Sequence, residues 1–501
     1  MFWDIVQSFG LSPLVFVVLL LTLVYFFMPR SNQPVNIPPI PQRPFPFLGH
    51  FPMIAKNPRG KMEEWTAKSG NIFSIYIGNQ LTVVLSGYDV MKEALVKQPD
   101  IFSDRPKLFI PSLTENGYKG ILPASGETWK EQRTVTLSIL RSFGMGKNSL
   151  AEKIGEEVEA YVDALKDLKS EPSNVRTLTN NCVSNVICNI IFGKRFDLGD
   201  PYFVHLLEIL NEQVVLVGET AILNVYPWLR FLPGDLFKAK KLLENFNEVL
   251  SFVNDRYVVP MSKNIDENNT DSSLIAAYVQ EMRKRQSSGK PTTMDDGNLT
   301  RVILNLFLAG TETTSTTIVW FYLFMIHHPD ILTKVYEEIE DVVGRERAPS
   351  MLDKPKLNYL NACIMETQRL ASIVPFSLQH VCTKTTTVQG YTIPEGTTVI
   401  PNLDRVLWDE KTWGDPRNYR PERFLDGDRN LKNYEEFVPF SLGRRVCLGE
   451  SLAKMELFLF LAGICQRFDI QPAVKGQLPP LKGVFGITSA PEAYKVRFVE
   501  R

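Results

Sequence analysis

The 501-residue sequence has no excess of charge of either sign: 55 Lys and Arg stand against 56 Asp and Glu, a formal net charge of -1. A global basic field that would draw the chain to nucleic acid is therefore absent, and a charge-guided partner must use a local patch. Cysteine is scarce. Its six positions, Cys182, Cys188, Cys363, Cys382, Cys447 and Cys465, include no CxxC pair. Most lie in apolar, helix-like surroundings where reduced cysteine packs as a small hydrophobe, which argues against a secreted disulfide framework. The five histidines, His50, His205, His327, His328 and His380, do not cluster with cysteines at ligand spacing, which argues against a structural zinc site. Internal repeats are absent.

What is present begins with an uncharged run, Leu11 to Met28, long enough to cross a bilayer as a helix. It reads as an anchor. A cleavable signal peptide fits less well, because Asp4 precedes the run without a positive side chain and no small-x-small cleavage site follows. Arg30, Arg43, Lys56 and Arg59 on its C-terminal side place the rest of the chain in the cytosol by the positive-inside bias. Pro34, Pro38, Pro39, Pro41, Pro44 and Pro46 then predict a stiff, extended linker. The expected organisation is an anchor over 1–30, a linker over 31–50 and one large domain over 51–501.

Strand-like runs occur at Ile72 to Gly78 and Leu81 to Leu85, with Asn79-Gln80 as the turn between them, and again near Thr386 to Val399. Apolar periodicity predicts helices over Lys147 to Leu168, Asn180 to Phe192, Leu236 to Val258, Asp296 to His327, Pro329 to Val343, Leu357 to Leu370 and Leu448 to Phe468. The polar tract Lys263 to Asp271 reads as a surface loop. The fold class is thus mainly α with a smaller β portion.

The most specific motif is Phe440-Ser441-Leu442-Gly443-Arg444-Arg445-Val446-Cys447-Leu448-Gly449, followed by an apolar helix. Gly443 permits a tight turn, Gly449 a close backbone approach, and the helix start offers free N–H groups to the sulfur. Such an environment holds Cys447 as a thiolate. Arg445 is placed to meet an acidic group on a cofactor rim. Glu366 and Arg369 are helix neighbours at i,i+3 and can pair. Ala309-Gly310-Thr311-Glu312-Thr313-Thr314 interrupts a long helix with residues that weaken it, which suggests a groove.

These residues resemble the cytochrome P-450 superfamily, whose haem-binding loop has the pattern FxxGxRxCxG. Glu366-Thr367-Gln368-Arg369 is similar to its ExxR motif, Pro421-Glu422-Arg423-Phe424 to its PERF motif, and Ala309 to Thr314 to its [AG]Gx[DE]T[TS] motif. The resemblance implies the family's fold with a single large catalytic domain, and a haem b whose iron takes Cys447 as ligand. It further implies a buried ionic triad of Glu366, Arg369 and Arg423. Thr313 and Glu312 are implied to serve oxygen activation and proton delivery, with oxygen bound beside Gly310 and Thr313. Trp129 and Arg133, in a WxxxR pattern, together with Arg105, His380 and Arg445, are implied contacts of the haem propionates. Gln379 departs from the proline many relatives carry beside that histidine.

By the same resemblance the substrate pocket draws on Phe109, Ile110, Leu113, Asn305, Ala309, Thr313, Ile373, Val374, Leu378, Gly486 and Ile487. Arg141 to Lys147 and Asn185 to Phe196 are similar to the animal microsomal family-2 branch. That implies an endoplasmic-reticulum monooxygenase, fed from NADPH by cytochrome P-450 reductase, with cytochrome b5 as a second donor and a lipophilic substrate. Lys130, Arg141 and Arg444 are candidate docking cations. Two alternatives stay open: an isomerase or dehydratase of lipid peroxides, and a non-catalytic haem protein. The sequons at Asn268 and Asn298 are read as chance matches, given the cytosolic placement.

Overall fold

Ile72–Ile77 and Gln80–Leu85 pair antiparallel, from Ile72 opposite Leu85 to Ile77 opposite Gln80. The loop between them is therefore Gly78-Asn79, not the expected Asn79-Gln80. Gly78, at φ +63°, supplies the left-handed angle that a two-residue hairpin loop favours. The computed structural model describes residues 13–27, 36–146, 148–264, 273–486 and 488–501. By compactness the chain divides into two units, Met1–Phe102 with Gln379–Pro401, and Ser103–Leu378 with Asn402–Arg501.

In the first unit Thr398–Pro401 joins the hairpin, parallel to Gln80–Leu85, and carries the short strand His380–Val381 on its other side. Thr386–Val388 and Tyr391–Ile393 form a separate hairpin. Phe73, Ile75, Val83 and Val84 of the sheet are fully buried, as is Trp65. The described part of the proline-rich stretch is tied to that sheet: Ser74 donates to the Pro39 carbonyl (2.9 Å), and Gly78 to that of Leu48 (3.3 Å). Residues 36–50 are thus part of this unit, not a detached spacer. His50 is buried, takes the Tyr76 N–H on Nδ1 (2.9 Å) and donates from Nε2 to the Gln42 carbonyl (2.8 Å), so both ring nitrogens are used. Of the expected anchor, Pro13–Phe27 is helix, with Val15 and Val17 to Leu21 exposed. The remaining ends of that run lie outside the described residues.

The second unit is mainly helical. Expected helices appear at Asn148–Lys166, Arg176–Phe192, Ala239–Val253, Asp296–His327, Pro329–Val342, Asn358–Ala371 and Glu450–Arg467. Gly126–Ser142, Pro201–Glu219 and Leu274–Ser287 are additional helices. Asp296–His327, here the central helix, runs for 32 residues and is capped by Asp295, whose carboxylate accepts the Asn298 N–H (2.6 Å). It is apolar and long enough to cross a membrane, yet two-thirds of its most apolar window is buried in protein, which makes it a core helix. It packs against Arg176–Phe192, Asn358–Ala371 and Glu450–Arg467. Asn298 is buried, with its side chain bonded to the Thr293 carbonyl and the Gly120 N–H, so this sequon carries no glycan. The Asn268 sequon lies outside the described residues.

Candidate active site

Residues 438–449 fold back before the helix Glu450–Arg467. Ser441 donates to the Val438 carbonyl (3.0 Å), Val446 to that of Gly443 (3.1 Å) and Cys447 to that of Phe440 (3.0 Å). Gly443 makes the turn at φ +79°. At Gly449 the expectation of a close approach is not met within the protein: φ is -89°, and an added Cβ would touch no protein atom. The helix starts at Glu450, later than the expected Leu448. Of the six cysteines, five are buried and Cys447 alone is exposed. Protein nevertheless crowds around its sulfur. Burial pushes the thiol up, the Gly449 N–H and Arg133 pull it down, and Glu450 adds to the rise. An exposed cysteine whose thiol is crowded by protein suits a ligand that covers it.

Trp129 and Arg133 share one face of the helix Gly126–Ser142. Arg133 donates to the carbonyl of Val446, the residue before Cys447 (2.7 Å). The Arg445 guanidinium lies over the Trp129 ring at 3.9 Å and donates to the carbonyls of Ser103 (2.6 Å), Ile121 (3.0 Å) and Ala124 (2.6 Å). It therefore staples the 103–124 segment to the cysteine loop, beyond the rim contact expected of it. Arg105 donates from Nη1 to the Leu378 carbonyl (2.9 Å). Burial, then repulsion from Arg105 and Arg133, pulls Arg445 down to about 8, and burial with Arg133 pulls Arg105 to about 10. Trp129 Nε1 is buried without an acceptor. Three crowded guanidiniums and an unused N–H make a place suited to an anion. His380 belongs to the first unit, where it is buried and donates from Nδ1 to the Phe102 carbonyl (2.6 Å).

A small recess lies between the central helix, residues 372–374 and the cysteine loop, walled by Thr313, Thr317, Ile373, Val374, Phe440 and Leu457 among others. Thr313 donates to the Ala309 carbonyl one turn earlier (2.7 Å). Gly310 faces away from open space: a Cβ there would sit 2.6 Å from Ile187 Cδ1, so its small size serves helix packing. Glu312 is buried. Its Oε1 meets Arg176 (3.1 Å), Thr316 (3.1 Å) and Thr488 (3.3 Å), while Oε2 has no protein partner.

Of the expected pocket residues, Ile373 and Val374 join Thr313 at this recess. Phe109, Ile110 and Leu113 instead pack in an apolar cluster with Leu216, Leu223 and Leu242. Asn305 is engaged with the Ile121 and Leu122 N–H groups (2.9 and 3.0 Å), Ala309 and Leu378 are exposed, and Gly486 donates to the Thr488 carbonyl (2.9 Å). Ile487 lies outside the described residues.

A sequence-family profile described as Cytochrome P450 matches residues 38–498. The chain belongs to the cytochrome P450 family. Human Cytochrome P450 2U1 is 34% identical over 94% of this chain and 91% of its own length. Human Cytochrome P450 2J2 is 37% identical (93% and 92%), and rat Cytochrome P450 2B12 is 36% identical (97% and 99%). The protein is a cytochrome P450 monooxygenase close to the CYP2 family. Membership implies a haem-thiolate cofactor, monooxygenase activity in general and a redox partner.

Behind the site of this P450, Glu366 and Arg369 form a bidentate pair (2.7 and 2.8 Å), both fully buried, and Arg423 completes it at 3.1 Å. The Arg420 N–H adds a fourth donor to Glu366 (2.9 Å). Arg369 also ties the carbonyls of Leu407 and Pro416 (2.8 and 2.9 Å). Two partners escape motif reading. Arg176 meets Glu312 across 136 positions, and Glu456 meets Thr314 across 142, and no local spacing announces either.

Proposed function

We propose that this P450 holds haem b with Cys447 as its thiolate ligand and inserts one oxygen atom from O2 into a lipophilic substrate, by hydroxylation or epoxidation. The observation that carries this reading is Cys447: the one exposed cysteine, on a loop whose Phe440 walls the recess that Thr313 also lines. The bound haem supplies oxygen activation, and its thiolate ligand favours O–O cleavage. Arg105, Arg133, Arg445 and Trp129 Nε1–H are suited to grip its acidic edge. Glu312 Oε2, buried and without a protein partner, is the atom suited to take a proton and pass it on, and the adjacent Thr313 hydroxyl keeps lone pairs to accept one.

Electrons come from NADPH through cytochrome P450 reductase, with cytochrome b5 as a second donor. The exposure of Lys130, Arg141 and Arg444 supports docking there, although Lys130 is already paired with Glu127 (2.7 Å). The uncharged helix Pro13–Phe27, with exposed valines and leucines, supports a single membrane anchor in the endoplasmic reticulum and a catalytic domain facing the cytosol.

The test is reconstitution with purified reductase, following NADPH oxidation and product formation across a panel of lipophiles. Turnover that Thr313→Ala uncouples from product supports the reading, and absence of any turnover sinks it. Cys447→Ser should abolish the thiolate signature of the reduced carbon-monoxide complex; a retained signature refutes the ligand assignment.

A further inference from the structure

The helix Gly126–Ser142, which carries Trp129 and Arg133, starts without a side-chain cap. Ser125 stands at the capping position, yet its hydroxyl accepts the Arg105 N–H (2.9 Å) and gives the helix no bond. The Gly126 N–H is met from outside by Asp104 Oδ1 (3.0 Å). A helix end without its own cap frays at little cost. Apart from Trp129 itself, the apolar residues that bury this helix, Val135, Ile139 and Leu140, lie in its second half and do not hold the turn that carries Trp129.

Glu131 holds that turn from behind. Two positions from both Trp129 and Arg133, it lies on the opposite side of the helix. Both of its oxygens are filled: Oε1 accepts from Arg285 Nη1 (2.7 Å) and Thr292 Oγ1 (2.8 Å), Oε2 from the Thr293 N–H (2.5 Å) and Thr293 Oγ1 (2.6 Å). Beside it Gln132, fully buried, donates to Thr293 Oγ1 (3.0 Å) and accepts from the Tyr278 hydroxyl (2.7 Å). Burial raises the Glu131 carboxyl, but the bonds from Thr293, Thr292 and Arg285 outweigh it and hold the group below the ordinary carboxylate range. The clamp is therefore an ionised one. Its other end is Thr293, two residues before the central helix's cap Asp295, with its carbonyl accepting Asn298 Nδ2 (2.7 Å). Glu131 thus ties the turn of Trp129 and Arg133 to the start of the helix that bears Thr313.

We propose that Glu131 is a positioning residue for the haem: by clamping an uncapped helix start to residues 285–293, it aims Trp129 Nε1 and the Arg133 guanidinium at the acidic edge of the cofactor. It acts through those two side chains and not on the haem itself. The proposal rests on the reading above that they grip the haem.

The test uses the full-length holoenzyme and two readouts, transfer of haem to apomyoglobin and the resonance Raman bending bands of the haem's acidic groups. Glu131→Gln, which turns an amide N–H toward donors, should release haem about tenfold faster than the wild type and shift those bands. Glu131→Asp keeps the charge and should recover part of both. In a Trp129→Phe background Glu131→Gln should add less than its own factor, because one of the groups it aims is already gone. Arg285→Gln, at a partly exposed position, removes one of the four donors and should release haem a few times faster, which tests the clamp even where Glu131→Gln fails to load. Haem held at the wild-type rate by Arg285→Gln, or by a loaded Glu131→Gln, overturns the proposal. So do unchanged Raman bands, or losses that multiply in full with Trp129→Phe, as a brace of the fold alone would give. Trp129→Phe and Arg133→Gln that both keep haem at the wild-type rate would instead overturn the grip, and the proposal with it.

Discussion

The Thr314 hydroxyl donates a 2.9 Å hydrogen bond to Oε2 of Glu456, joining the central helix to the helix that follows the Cys447 loop. The hydroxyls around it, of Thr313, Ser315 and Thr317, turn back to their own helix carbonyls. Thr314 therefore reaches across where its neighbours do not. Glu456 is buried with Oε1 unpartnered, and burial pushes its carboxyl up to about 8.

The pH dependence of stability follows from that shift. The folded value lies above the ordinary 4.5, so this carboxyl's stabilisation is complete below about pH 4.5 and is lost as pH rises toward about 8. Between about pH 5 and 8 the wild type should lose roughly 3–4 kcal/mol at this site, while Glu456→Gln stays level and is the more stable form at neutral pH. Urea unfolding of both proteins across that range is the check; parallel pH profiles would sink it.

Gly310 is set by Ile187, not by the groove expected of it. In Gly310→Ala the new methyl meets Ile187 Cδ1 at 2.6 Å. Alanine gains about 1 kcal/mol of helix propensity, whereas overpacking costs about 1–3 kcal/mol, so a modest net loss is expected. Ile187→Ala removes the clashing atoms and should make Gly310→Ala favourable in the double variant. Thermal unfolding of the four proteins measures the coupling, and strict additivity would contradict it.

Long periodic segments were legible in the sequence, because burial on one face leaves a pattern: Asp296–His327 appears with the expected bounds, and Asn358–Ala371 within one residue of them. Pro201–Glu219 was legible but missed, since Asp200 capping the N–H groups of Tyr202 and Phe203 ahead of Pro201 is a helix start signal. The π-helical turn Asn254–Val258, which joins the helices Ala239–Val253 and Val259–Asn264, leaves no local trace. Pairing within one segment was readable, as for Glu366 and Arg369 one helix turn apart. Contacts made across folded segments, Arg445 with the Ser103, Ile121 and Ala124 carbonyls above all, depend on tertiary placement and were not.

Glu366 neutralises two buried guanidiniums at once. Glu366→Gln keeps the shape but leaves Arg369 and Arg423 facing an amide, which should cost about 3–5 kcal/mol and nearly abolish the yield of haem-loaded protein. Arg420→Gln, which removes a half-exposed pair with Asp415 and leaves the Arg420 N–H in place, should cost under about 1 kcal/mol. The yield of carbon-monoxide-binding protein separates them, and similar losses in both would remove the special status of the triad.

Trp129 contributes two separable things: a ring under the Arg445 guanidinium and an indole N–H without a protein acceptor. Phenylalanine keeps the first and deletes the second. If the N–H is reserved for the acidic edge of the haem, Trp129→Phe should shed haem about tenfold faster, the worth of one charge-assisted hydrogen bond, while the haem-free protein unfolds close to wild type. Trp129→Ala also removes the surface on which Arg445 rests, so it should loosen both the haem and the 103–124 segment. Transfer of haem to apomyoglobin reads the first effect, and amide exchange of residues 103–124 reads the second. Equal haem loss from wild type and Trp129→Phe would show that the N–H plays no part in holding the cofactor.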